Sequence, residues 1–284
     1  MHPAFVLAAN ELGLVDVWMT PFFRVTGPRT PRRVLAGFLA PFMFGGVPVH
    51  VQLMGRDPDG MLQTAESCLE LGCAGINLNF CCPSGTVVRH GAGGGWLRDI
   101  PGLMALTAVL RRGLPEGFLS VKLRAGFDHS GFAWYSELAG LGIDAVFLHF
   151  RTVSEQYRQL PFSLALERFA AARERLGAVP LFANGDIDTP EKLQACHDLG
   201  CAGVMAARGW LRRPSLLKEM TGHECGVTDK QLFFKVLGVA KCDESLRFNK
   251  GRAVELGRML LGSAAPVLAA LEAVDGDWKK VTEF

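Results

Sequence analysis

Short runs of apolar and β-branched residues recur along the chain, and most are followed by a stretch whose apolar positions repeat at helical spacing. The runs at residues 14–19, 49–53, 75–78, 119–123, 145–148, 179–182 and 203–205 predict seven strands. Asp57-Pro58 ahead of residues 60–71 and Thr189-Pro190-Glu191 ahead of 192–199 mark helix starts, with proline in the first turn. The chain reads as repeated βα units.

Such alternation implies a parallel sheet covered by helices, and seven or eight units favour a TIM (β/α)8 barrel over an open doubly wound sheet. No GxGxxG opens an early helix, which counts against a dinucleotide-binding fold. Closure takes eight strands, so one is missing. The gap falls at the start, because residues 3–12 read as a helix with Pro3 in its first turn and residue 14 already begins a strand. Another element closes the barrel, or the coding sequence begins upstream of Met1, or the piece is lost. Past residue 212 the alternation stops, and 228–239, 245–261 and 265–274 read as helices. The expected division is a barrel domain at 1–212 and a small helical domain at 213–284.

Composition narrows the class. With 284 residues, 49% of them apolar and 20% charged, the chain can bury a full core, which rules out a disordered polymer. A formal net charge of +2 does not by itself mark a nucleic-acid binder. Any RNA contact must come from local clusters such as Arg29, Arg32 and Arg33 or Arg208, Arg212 and Arg213, for which a solvated face is the plainer reading. Eight cysteines in a long chain that shows no charged n-region followed by an apolar h-region suit the reduced thiols of a cytoplasmic protein, and Cys196 and Cys201, without CxxC spacing or nearby paired histidines, read as small buried hydrophobes. No apolar run reaches the roughly 18 residues that a membrane span needs.

Barrel enzymes place their chemistry at the carboxyl ends of the strands, and polar residues gather there in this sequence. Gln52 ends one predicted strand; Asn79 precedes Cys81-Cys82-Pro83; Lys122 and Arg124 end another, and His149 with Arg151 the next. Asn184, Gly185 and Asp186, then Ala207, Arg208 and Gly209, occupy the loops after the last two strands, where barrels commonly bind a phosphate. A single Gln or Asn is as readily a helix cap and a single Lys an ion-pair partner, but polar groups at one end of six successive strands suit a cleft. Cys82, in a loop that runs into the glycines 91–95, suits a proton donor or nucleophile under a glycine-rich loop that approaches closely or closes as a lid.

The stretch INLNFCCPSGTVVRHGAGGGWLRD at 76–99, with VHVQLMG, LSVKLRAGFD, LHFRT, LFANGDI and GVMAARGWL, resembles the tRNA-dihydrouridine synthase family, especially its branch acting on uridine 16. The likeness runs over about residues 14–211. It implies an FMN enzyme that uses NADPH to reduce a uridine of tRNA, passing hydride from flavin N5 to C6 while Cys82 protonates C5. It assigns Gln52 and Lys122 to the isoalloxazine ring with His149 nearby, and Asn184, Gly185, Asp186, Ala207 and Arg208 to the phosphate. Asn79, Arg124 and Tyr157 match positions that line the substrate base, Arg24 matches a tRNA contact, and the helical tail would grip the tRNA backbone. A monomer is expected. The sequence departs from the family at Cys81, Phe150 and Ala206-Ala207, which stand where glycines are usual, and at Pro21, where the closest branch has glutamate. A bulky residue at 150 is placed to crowd the flavin or the uracil. Two rival readings stay open: a flavin-poor relative that only binds RNA or a protein partner, and a different FMN-dependent barrel oxidoreductase.

Overall fold

The computed structural model describes residues 2–207, 209, 210, 213, 215–220, 226–243 and 247–281. Arg208, Arg212 and Cys225, and residues 245 and 246 of the helix expected at 245–261, lie outside the described residues.

Eight strand segments form one sheet: β1 (Trp18–Met19), β2 (Phe23–Arg24), β3 (Val49–Met54), β4 (Gly75–Phe80), β5 (Leu119–Arg124), β6 (Ala145–His149), β7 (Leu181–Asn184) and β8 (Gly203–Met205). Every pairing is parallel, and the order is β1-β3-β4-β5-β6-β7-β8 with β2 also on β3. Trp18 lies opposite Val49 and Phe23 opposite Leu53, so β1 and β2 are two pieces of one strand position beside β3. Pro21 explains the break, since it has no N–H to give a ladder. The sheet therefore holds seven strand positions, and among the described residues no pairing joins β1 to β8. This is a TIM-type barrel with seven strand positions among the described residues, the number that the sequence count gave.

Several predicted boundaries move: the strand expected at 75–78 runs on to Phe80, and the helix expected at 245–261 spans Lys250–Leu260. The strand expected at 14–19 keeps only Trp18 and Met19, because Gly13 at φ +61° turns the chain out of the preceding helix and Leu14 N–H still bonds Ala9 O. The strand expected at 179–182 begins at Leu181 and runs to Asn184.

The helices expected after Asp57-Pro58 and Thr189-Pro190 start at those prolines, and a third starts just after Asp99. Asp57, Asp99 and Thr189 side chains accept from the backbone N–H of Gly60, Gly102 and Lys192, each with proline in the first turn. Two hydrophobic cores result. One fills the barrel and its outer helices, from Leu53 and Leu78 to Leu148, Phe169 and Leu181. The other joins the helix Pro3–Glu11 to the helices Asp229–Cys242, Lys250–Leu260 and Ala265–Glu272. The first helix buries Ala4, Phe5, Val6, Ala8 and Ala9, and therefore packs on nearly every side. Beside β1, Trp210 meets Trp18 edge-on at 5.6 Å and Phe5 at 5.4 Å between ring centroids, and Trp18 Nε1 donates to Asn10 Oδ1 at 2.6 Å. An aromatic seam thus stands next to the open edge.

Candidate active site

A cavity of about 900 Å³ opens at the carboxyl ends of the strands, at the upper end of the size range of ligand pockets. Asn79, Cys81, Cys82 and Pro83 from the end of β4 form one wall. Lys122 and Arg124 of β5 and His149 of β6 line its interior, and Asn184, Gly185 and Asp186 after β7 face Ala206 and Ala207 after β8. Phe22 and Tyr157, both exposed, stand at the mouth.

The Cys wall is anchored by a string of buried side-chain hydrogen bonds. Asn77 Nδ2 donates to Ser120 Oγ at 2.9 Å, Gln52 Nε2 to Asn77 Oδ1 at 2.9 Å, and Asn79 Nδ2 to Gln52 Oε1 at 2.6 Å. Asn79 Oδ1 then accepts the backbone N–H groups of Cys81 and Cys82 at 3.0 and 2.9 Å. Four inward positions on three adjacent strands therefore dictate how the turn after β4 sits. Gln52 is spent in this string and does not line the cavity, unlike Asn79.

The two cysteines point differently. Cys82, half-buried, rests on Met54, Val87 and Ala92. Gly94 N–H bonds Cys82 O at 2.9 Å, and Gly93, at φ +54°, passes so close that an added Cβ would lie 2.9 Å from Cys82 Cβ. The glycines are here for close approach: residues 93–98 form a packed 3-10 helix, and Gly93, Gly94 and Gly95 are buried. Cys81, 5% exposed, turns its sulfur to Lys122, whose Nζ donates to Sγ at 3.1 Å. By contrast, burial raises the thiols of Cys68 and Cys196 to about 12 and Cys73 to about 11, which fits inert core residues.

The loop after β6 is held by three buried arginines. Arg124 donates to the carbonyls of Cys81, Thr152 and Gln156 and lies over the Tyr157 ring. Arg151 reaches Asp186 at 2.5 Å, tying this loop to the one after β7. Arg168 grips Glu155 with two parallel bonds of 2.7 and 2.8 Å and also donates to Phe150 O. That guanidinium, helped by Thr152, holds the Glu155 carboxyl at about 2 against the ordinary 4.5.

The residues present fit a phosphorylated, ring-bearing cofactor. Gly185 at φ +121° and Asp186 at φ +52° turn the backbone after β7 along the cavity, a conformation that favours glycine at 185. Lys122 and His149 supply polar groups deeper in. The expected obstruction at 150 does not occur: Phe150, 1% exposed, is absent from the lining and packs edge-on against Phe169 at 6.2 Å in the barrel core.

The structure thus gathers Asn79, Cys82, Lys122, Arg124, His149, Tyr157, Asn184, Gly185, Asp186 and Ala207 around one cavity. Arg24 lies instead in a smaller neighbouring hollow of about 190 Å³ with Arg56 and His90. Sequence reasoning did not single out Phe22, Asp188 or Lys192, which also line the cavity, nor Asn77 and Ser120 behind it. Lys192 sits in the first turn after the Thr189 cap and donates to Asp186 O at 3.0 Å. Asn77 and Ser120 were findable, since both are polar at inward positions of otherwise apolar strands.

Comparison with known proteins identifies the family. The family model described as dihydrouridine synthase matches residues 41–246. The chain is 34% identical to the tRNA-dihydrouridine(16) synthase of Haemophilus influenzae and 33% to that of Pasteurella multocida, over 73% of the chain and 69% and 68% of those proteins. It is 30% identical to the Haemophilus ducreyi counterpart over 72% of the chain and 64% of that protein. The chain thus spans about two thirds of the length of the curated relatives it matches. Among solved structures, a mandelate oxidase with a bound phenylacetate derivative superposes with a TM-score of 0.50 at 13% identity, covering 77% of this chain and 68% of that one, a likeness of fold.

Proposed function

Because the chain belongs to the dihydrouridine synthase family, we propose that it is an FMN-dependent tRNA-dihydrouridine synthase that draws its electrons from NADPH. The observation that carries this reading is the single cavity that sets Lys122, His149 and the loops after β7 and β8 opposite the Asn79-to-Pro83 turn. FMN, when bound, supplies the hydride for C6 of a uracil. The loops at Asn184 to Asp186 and Ala206-Ala207, with Arg208, would hold its phosphate, and Lys122 its ring.

The protein's own residues do the rest. Lys122 favours negative charge at the ring edge beside it. Asn79 and Arg124 orient the base, Tyr157 and Phe22 offer π-faces to a nucleotide drawn out of its stack, and Cys82 gives its proton to C5 and becomes a thiolate. Arg24, in the adjoining hollow, and the helices that follow the barrel meet the tRNA backbone.

Two measurements test the reading. Purified protein titrated with FMN should quench flavin fluorescence to a defined end point. tRNA from a strain lacking the gene should lose a dihydrouridine that a plasmid copy restores and a Cys82→Ala copy does not. Protein that takes up no FMN, or tRNA unchanged by the deletion, defeats it.

A further inference from the structure

Cys81 lines the cavity without a part in the proposed chemistry, although its sulfur accepts a hydrogen bond from Lys122 Nζ. The contact is built, not incidental. The Cys81 N–H is fixed by Asn79 Oδ1 and its carbonyl by Arg124 Nε at 2.9 Å, and the side chain they place is buried, 5% exposed, with its sulfur on Lys122 Nζ. Behind it, Tyr135 is fully buried and its hydroxyl has no hydrogen-bond partner. Burial, with the Cys81 sulfur nearby, pushes that hydroxyl well up, so it stays protonated and neutral. Cys81 thus has Lys122 as its hydrogen-bond partner and a neutral phenol among its neighbours.

We propose that Cys81 is a positioning residue that draws Lys122 toward the β4 wall and so weakens the grip of this lysine on a reduced, negatively charged flavin ring. The inference rests on the reading that the cavity takes FMN. A lysine ammonium has three N–H donors, and the sulfur, a polarisable acceptor, engages one of them along a set direction. With the sulfur removed, the amine turns freely toward the ring, and the reduced form gains more than the oxidised form because only the former carries the added charge. Cys81 acts through Lys122 and needs no contact with the ring.

The test compares the dissociation constants of oxidised and reduced FMN, with the midpoint potential, for the wild type, Cys81→Ala and Cys81→Ser. Cys81→Ala should favour the reduced form by about tenfold, which for a two-electron couple is a rise of about 30 mV. Cys81→Ser keeps an acceptor and should stay within about threefold of the wild type. Repeated on a Lys122→Met background, Cys81→Ala should move the potential no further, whereas a residue that only fills space would shift both backgrounds alike. If Lys122→Met binds no flavin, the serine variant decides: a serine that shifts as far as alanine overturns the inference. An unchanged potential in Cys81→Ala with flavin bound also overturns it and leaves the FMN reading intact. A wild type that binds no FMN overturns both.

Discussion

The two sides of the barrel are built on different principles. From β3 to β6 the strands are five or six residues long and almost wholly buried, and their inward polar groups pair with one another from Ser120 to Asn79. At the β1 and β8 edges the segments are two or three residues long and partly exposed, and the neighbouring order comes from the Trp18, Trp210 and Phe5 rings on the helix Pro3–Glu11. One side is specified by directional hydrogen bonds and the other by apolar area. Positioning chemistry to within fractions of an ångström requires the former, whereas an edge can be sealed by the latter.

The largest expected effect lies at the seam. Trp18→Ala should cost about 3–5 kcal/mol of unfolding free energy, read from the shift in denaturant midpoint. A loss below about 1 kcal/mol would show that the seam does not hold the second core. Next comes the loop after β6. Glu155 ionises at about 2 in the folded chain and near 4.5 unfolded, so its contribution is complete above pH 4.5 and fades as the pH falls toward 2. The stability gap between wild type and Glu155→Gln should therefore shrink across that window by about 2 kcal/mol, solvent screening of this partly exposed pair taking up the rest, and a gap that stays constant would rule out the ion pair. The smallest effect is at the string. Asn77→Ala leaves Gln52 short of an acceptor and Ser120 short of a donor, and should cost about 1–3 kcal/mol. Because Asn77 pairs with Gln52, three residues along β3 from the partner of Trp18, the Trp18→Ala and Asn77→Ala losses should add to within about 0.5 kcal/mol. Strong coupling between them would erase the distinction between the two sides.

The long strands were legible because hydrophobic runs and punctuating Asp-Pro and Thr-Pro caps are local signals, and the missing strand position could be counted. The residues after β4 to β8 were legible as a site because a barrel fixes which end of each strand bears function. The orientation of side chains was not. Nothing local distinguishes Cys81 from Cys82, yet both line the cavity in different company: Lys122 from the next strand holds the Cys81 sulfur, whereas Cys82 packs against Met54, Val87 and Ala92. Phe150 looked obstructive because it replaces a glycine, but whether a bulky residue points in or out depends on what lies behind it, here Phe169. The split of the first strand into β1 and β2 follows from Pro21, a signal present in the sequence and missed.

The Ser120-to-Asn79 string also has a polarity. Each amide in it donates toward Ser120 and accepts from the cavity side, and the two backbone N–H groups of Cys81 and Cys82 fix that sense by occupying the Asn79 oxygen. Of its two amide hydrogens, Asn79 gives one to Gln52 and keeps one to offer. The Asn79 side chain therefore meets a visitor as a donor: a ring edge that shows a carbonyl oxygen is met, and one that shows an amino group finds hydrogen against hydrogen. Discrimination between two pyrimidines that differ in that one substituent would be set by the two backbone N–H groups that hold the Asn79 oxygen.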